Sequence, residues 1–340
     1  GEHMNKVYLK QKDETGKRSS KLKKWICGIL VAIIICIILA LGFGGNYLYN
    51  LAINPDTPKD IVFESTECSK DVVTINSTSG PVSISSEEWL LKESGYEDLY
   101  MTSRDGLKLH NYLIKKPNSN KWVITVHGYT SQGKLTSYYA KNFSDMGYNV
   151  IIPDLRGHGT SEGDYIGMGW DERLDIIDLI NYIIKEDKEA EIILYGISMG
   201  AATVLNTSGE ELPENVKALV ADCGYTSAWD EFSYQLNKLF GLSAFPMMHI
   251  ANLITKIRAG YWINESSPID QTAKSKTPTL FIQGDEDTFV PAFMVEELYN
   301  ASSAEKEKLI IKGAGHAKAS KVNPKLYWET IDGFLNKYVS

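Results

Sequence analysis

The chain has 340 residues, 43% of them hydrophobic, 23% charged and 11% aromatic, with a formal charge of −8. This composition excludes the disordered, collagen-like and disulfide-scaffold classes, and the acidic balance argues against a broad face that grips nucleic acid. The charge is uneven: residues 1–24 hold eight Lys/Arg against three acids, residues 25–55 hold none, and the remainder is acidic.

The uncharged stretch is the first strong signal. Trp25 to Leu41 reads WICGILVAIIICIILAL, and apolar or small residues continue to Gly45. About 20 apolar residues in a helix cross a bilayer core, so residues 25–45 are expected to form a transmembrane anchor. A signal-peptide core is shorter, about 7–15 residues, and Ala40-Leu41-Gly42 is a poor cleavage match. Lys17, Arg18, Lys21, Lys23 and Lys24 precede the span and only Lys59 soon follows it. The positive-inside rule therefore puts the basic segment 1–24 in the cytoplasm and the following domain outside a cell membrane crossed once. Trp25 on one side and Tyr47 and Tyr49 on the other fit the aromatic belts of an interface. The opening GEHM has the look of a tag remnant, and residues 1–3 enter no functional argument.

Residues 46–95 read as a juxtamembrane connector, with the turn-rich Asn54-Pro-Asp-Thr-Pro58, a Ser/Thr-rich run over 75–86, and Ser85-Ser-Glu-Glu88 as a capping box before Trp89. From residue 96 to 340 the pattern is one domain. Asp105-Gly106 marks a hairpin between YEDLYMTS and LKLHNYLIKK. Strands are expected at Trp122–His127, Asn149–Pro153, Glu191–Tyr195, Val216–Ala221, Thr279–Gln283 and Lys308–Ile311, with helices near 136–146, 170–186, 199–209, 292–302 and 325–338. Apolar strands alternating with amphipathic helices indicate an α/β domain whose mostly parallel sheet is covered on both faces. About 225–275 breaks the alternation, is rich in Phe, Met and Leu, and reads as a helical lid over the site. Its acids, Asp230, Glu231, Glu265 and Asp270, are matched by four basic residues, giving a neutral lid.

Gly196-Ile197-Ser198-Met199-Gly200 stands between the apolar run EIILY and a helical segment. GxSxG arises by chance in roughly one chain in ten of this length, so its placement at a strand-to-helix turn carries the weight. There a serine nucleophile can project from a sharp turn with small flanking residues, and the following helix favours developing negative charge. Of the six histidines, His316 lies in a loop between the last strand and the last helix, where open α/β sheets place working residues. It is the expected base. His127 and His158 read as architectural, His110 and His249 as ordinary packed or exposed residues. The orienting carboxylate follows the nucleophile and precedes the histidine in the chain; order alone leaves Asp222, Asp285 and Asp287 open. Four cysteines make no disulfide framework, although Cys68 and Cys223 are free to pair outside the cell. No CxxC or HExxH cluster appears, so the chain reads as free of metal and cofactor.

From Tyr96 to Tyr338 the chain resembles the α/β-hydrolase superfamily, above all membrane-anchored bacterial serine hydrolases of the serine aminopeptidase-like branch. VHGYT (126–130), DLRGHGTSEG (154–163), GISMG (196–200), GDEDTFVP (284–291) and GAGH (313–316) carry the likeness, in the family's order. The resemblance implies an α/β-hydrolase fold and selects Asp287 as the acid beside Ser198 and His316. It implies an oxyanion hole from Tyr129 and Met199, and loop-bracing roles for Asp154 and Arg156. The lid matches no motif. The expected activity is hydrolysis of carboxylic esters through a Ser-His-Asp triad and an acyl-enzyme. A peptidase or amidase on short peptides, or a hydrolase-like domain that binds a ligand or partner without turnover, stands as the alternative. Expected partners are a small-molecule ester or amide and, through the N-terminal helix, a membrane; no nucleic acid is expected.

Overall fold

The structure, a computed structural model, describes residues 2–64 and 85–340. Helix α1 (Glu2–Ala52) is continuous from the basic head past the end of the uncharged run. Over its middle, Ile29, Ile33, Ile37 and Leu39 are exposed along with their neighbours on every face. A helix apolar all round and touching no protein is one long and apolar enough to cross a membrane. Its C-terminal end behaves differently, because Gly45, Tyr49 and Leu51, with Ile53 just beyond, are buried in the domain that follows.

Short helices α2 (Asp60–Glu64) and α3 (Ser86–Glu88) come before the sheet. The expected N-cap forms, with Ser85 Oγ accepting from the Glu88 amide at 3.1 Å. Residues 75–84 of the Ser/Thr-rich run and Cys68 lie outside the described residues, and so does the pairing of Cys68 with Cys223. Among the described residues one eight-stranded sheet has the order β1-β2-β4-β3-β5-β6-β7-β8. The hairpin β1 (Glu97–Thr102) and β2 (Lys108–Ile114) is antiparallel, and β2 runs antiparallel to β4 (Asn149–Pro153). The others, β3 (Lys121–Val126), β5 (Glu191–Ile197), β6 (Val216–Asp222), β7 (Thr279–Gly284) and β8 (Lys306–Ile311), are parallel.

Both faces of the sheet are covered, which is why its central strands are apolar without alternation. On β5, Ile192 and Leu194 join one core while Ile193, Tyr195 and Ile197 join the other. The first core takes Ile176, Leu179, Ile180 and Ile183 from α5 (Glu172–Glu186), a helix-period stripe. The second holds α4 (Ser137–Asp145) and the Tyr327, Ile331, Phe334 and Leu335 stripe of α12 (Pro324–Leu335). Helix α6 (Met199–Ser208) leaves β5 directly. Between β6 and β7 the chain inserts α7 (Ala228–Phe240), α8 (Met247–Ala259) and α9 (Pro268–Lys274). Helices α10 (Ala292–Ala301) and α11 (Ala319–Val322) complete the outer layer.

The end of α1 is built into this domain by specific contacts. Gly44 and Gly45 let α8 approach so closely that an added Cβ would stand 2.6 Å from Met247 Cε and 2.5 Å from Ile250 Cγ2. Arg258 on α8 donates to Asn46 Oδ1 and Asn50 Oδ1 at 2.8 and 2.9 Å, and its guanidinium lies 4.0 Å from the Tyr49 ring centre. Tyr49 is thereby taken out of the expected interface belt, whereas Trp25 and Tyr47 stay exposed. The last carbonyls of a helix lack partners within it. Here the Lys59 ammonium reaches that of Asn50 at 3.0 Å and the Tyr129 hydroxyl that of Ala52 at 2.8 Å.

Candidate active site

The GxSxG turn is dictated by contact. Ser198 holds φ 57° and ψ −120°, a strained conformation for a residue with a side chain. A Cβ at Gly196 would run into the carbonyl oxygen of Gly200, and one at Gly200 into that of Val126. Only glycine lets β5 turn into α6 so tightly against β3. The turn presents the Ser198 side chain at the carboxyl end of the sheet, where the loops after β3, β7 and β8 converge.

Those loops bring together residues separated by more than a hundred positions. His316 Nε2 lies 2.8 Å from Ser198 Oγ, and His316 Nδ1 lies 2.7 Å from Asp287 Oδ2. Asp287 is itself held on every side: its Oδ1 accepts from the amides of Phe289 and Val290 at 2.9 Å, and its Oδ2 from Gln283 Nε2 at 2.9 Å. The two other acids left open by chain order have different partners. Asp285 Oδ1 accepts from the Gly313 amide at 2.7 Å, clamping the loop that carries His316. Asp222 Oδ2 accepts from the Tyr327 hydroxyl at 2.7 Å, and burial pushes its carboxyl up to about 7 against that hydrogen bond and the pull of His316. Burial opposes the His316 cation, but the charge and hydrogen bond of Asp287 outweigh it, and the imidazole is raised above its ordinary value.

Met199 opens α6 directly after Ser198. Tyr129 follows Gly128, where an added Cβ would come within 3.2 Å of Ser198 Cβ, so the turn after β3 lies against the serine. His127 holds that turn. Its Nδ1 pairs with the Gly128 carbonyl at 2.8 Å, its Nε2 accepts from the Leu155 amide at 3.0 Å, and burial pushes its pKa down to about 3. Asp154 accepts from the amides of Gly133 and Thr160, and Arg156 grips Asp175 through two bonds of 2.8 Å. Both brace loops. His110 is less ordinary than its sequence suggests, since it bridges Asp98 and Asp154 at 2.8 and 2.9 Å inside the hairpin.

The donor atoms of Cys223, Asp287 and His316 lie within 4.8 Å of one another. Both His316 nitrogens are already engaged, and burial pushes the Cys223 thiol well up, so this set is a hydrogen-bonded chain with a buried neutral thiol beside it. Ser198 opens onto a concave pocket lined mostly by apolar side chains, with a few polar groups beside the serine, as small-molecule sites are. Leu236, Leu239 and Phe240 of α7 and Met248 and Ala251 of α8 make much of its wall. Two other contributors were not legible in the sequence. Leu48, Leu51, Ala52 and Ile53, in the expected connector, line the same pocket. Glu231, weighed only in the charge balance of 225–275, faces it too. Its Oε1 accepts from Gln235 Nε2 at 2.9 Å, its buried Oε2 lacks a partner, and burial pushes it up to about 8.

Residues 117–253 match the family model described as serine aminopeptidase, S33. The chain is 27% identical to the uncharacterized protein YqkD of Bacillus subtilis, over 91% of this chain and 97% of that one. It is 24% identical to the uncharacterized membrane protein YNL320W of Saccharomyces cerevisiae, over 71% of this chain and 79% of the other. Among solved structures, the Pyrococcus furiosus esterase Pf2001 superposes with a TM-score of 0.57 at 25% identity, covering 72% of this chain and 93% of that one. A mostly parallel sheet, a serine on a tight turn after β5 and these likenesses agree: the chain has an α/β-hydrolase fold, with an N-terminal helix long and apolar enough to cross a membrane.

Proposed function

We propose that the chain is a membrane-anchored serine hydrolase that cleaves carboxylic esters, with Ser198 as nucleophile, His316 as base and Asp287 as its orienting acid. The observation that carries this reading is the hydrogen-bonded chain Ser198–His316–Asp287 at the mouth of an apolar pocket. In the proposed reaction His316 Nε2 takes the Ser198 proton as Oγ attacks the ester carbonyl. The oxyanion is held by the backbone amides of Met199 and Tyr129, each such donor being worth about 3 kcal/mol. His316 then protonates the leaving alcohol, and water, activated by the same imidazole, releases the acid. Asp287 keeps the ring in the required tautomer and supports its cation. Helices α7 and α8 serve as the lid. The anchor spans once with residues 1–24 in the cytoplasm and the hydrolase domain outside.

The test is hydrolysis of p-nitrophenyl esters from acetate to palmitate by the full chain, beside Ser198→Ala. Turnover that vanishes in the variant supports the reading. Failure of every ester, with no labelling of Ser198 by a fluorophosphonate, leaves a binding domain instead. Glu231 favours a second reading, as a peptidase or amidase: a buried acid with an open oxygen in the pocket can receive a substrate ammonium. Under that reading aminoacyl p-nitroanilides are cleaved, and Glu231→Gln lowers their kcat/KM at least tenfold more than that of esters.

A further inference from the structure

The pocket wall supplied by α1 places the site relative to the bilayer. Leu48, the first pocket residue, follows Gly45 by three residues, a rise of about 4.5 Å. The interfacial layer outside the hydrocarbon core is about 5–8 Å thick on each side, so the acyl-binding wall begins at the level of the lipid headgroups. Helix α8 is held at the same level, since Met247 and Ile250 pack on Gly44 and Gly45.

Around this contact the surface is apolar. Phe43 is 79% exposed, Phe245 and Ile257 73% each, Leu253 47% and Leu242 44%. Leu253 and Ile257 lie one turn apart on α8, beside the stripe that packs on the anchor. Exposed apolar residues gathered next to a membrane span mark a lipid-facing surface. Inside the pocket Leu51, Leu236, Leu239 and Phe240 offer no hydrogen bond from their side chains. A chain of methylenes gains about fourfold in binding for each one buried there, whereas a peptide would leave amides unpaired.

We propose that the site draws its substrate from the membrane: the pocket holds the long acyl chain of an ester dissolved in the bilayer, and the last turns of the anchor form part of the acyl wall. This rests on the serine-esterase reading above. The bond from Ser198 Oγ to the acyl carbon forms as the bond from that carbon to the alcohol oxygen breaks, and the alcohol leaves with the proton held by His316. Water then splits the acyl-enzyme and a free fatty acid is released next to the leaflet that supplied it.

The experiment uses the full chain in vesicles of phosphatidylcholine and phosphatidylglycerol. The p-nitrophenyl ester series is measured with the native chain, Leu51→Trp and the pair Phe245→Glu and Ile257→Glu. In parallel, Ser198→Ala is irradiated with a photoreactive palmitic acid and the labelled peptides are sequenced. Expected are a kcat/KM that rises at least tenfold from acetate to palmitate and a palmitate-to-acetate ratio at least tenfold lower in Leu51→Trp. The paired variant should lose palmitate turnover in vesicles more than in detergent micelles. Labelling should fall on 48–53 and 236–251 and be competed by unlabelled palmitate. Turnover of short esters that declines beyond butyrate, with label confined to 25–43, overturns the proposal. Competed labelling of 48–53 without turnover of any ester supports the acyl pocket and overturns the esterase reading instead.

Discussion

His316 sits between opposing influences, burial against its cation and Asp287 in favour of it, and the second prevails. The proposed chemistry needs the neutral imidazole, so ester turnover should fall on acidification through an apparent pKa above 6.5. Asp287→Asn should move that limb to lower pH and lower kcat by about 10⁴; an unmoved limb in the pH–rate profile would contradict the assignment. Stability runs the other way. A histidine raised in the folded state adds stability that is fully present below its unfolded pKa, about 6.5, and is lost as pH rises through the folded value. Urea midpoints of the native chain and His316→Gln, compared across pH 5 to 9, should therefore draw apart toward acid. Asp222→Asn and Asp285→Ala should each lower kcat less than tenfold, because one carboxyl serves Tyr327 and the other the Gly313 amide.

Two elements carry the site, and each can be tested as an element. The turn from β5 to α6 has no room for a methyl group at Gly200, where the Val126 carbonyl stands in the way. Gly200→Ala should cost about 1–3 kcal/mol or more by overpacking alone, read as a lower urea midpoint together with lost fluorophosphonate labelling. The end of α1 is the other element. Tyr49, Leu51 and Ile53 are buried, and burying such side chains is worth about 1.5–3 kcal/mol each. Their sum is comparable with a domain's whole stability of about 5–15 kcal/mol. A chain beginning at residue 44 should therefore fold and react with fluorophosphonate, while one beginning at residue 54 should aggregate. Equal soluble yield and labelling of the two would show that the helix end is dispensable.

Over the whole molecule the charges divide as the proposed single-pass topology requires, with a basic head, a neutral span and an acidic body. Protease added to intact cells should accordingly digest the hydrolase domain and spare the basic head; protection of the domain until lysis would reverse the proposed orientation. The contact of α8 with Gly44 and Gly45 ties the domain's position to the depth of the span. Under the proposed function the anchor is then a part of the catalytic domain as well as a tether.

What could be read along the chain was what is encoded locally. The membrane span follows from a run of apolar residues, the strands of the sheet from short apolar runs, and the elbow from glycines placed two residues either side of a serine. Chain order, with no geometry, left three acids for His316. The hydrogen bonds that separate them connect segments distant in the chain: Asp287 to His316, Asp222 to Tyr327 and Asp285 to Gly313. The role of Leu48–Ile53 was hidden for the same reason. A turn of leucines after a span looks like a connector until α8 and Tyr129, some 80 to 200 positions later, fold onto it. Glu231 was one acid in a neutral lid, and only packing removed its water and pushed its carboxyl up to about 8. Local pattern sets what a segment is, because backbone geometry and burial of an apolar face act over a few residues. What a residue does depends on which distant groups exclude water from it, and that is decided when the sheet forms and α7, α8 and the end of α1 pack over Ser198.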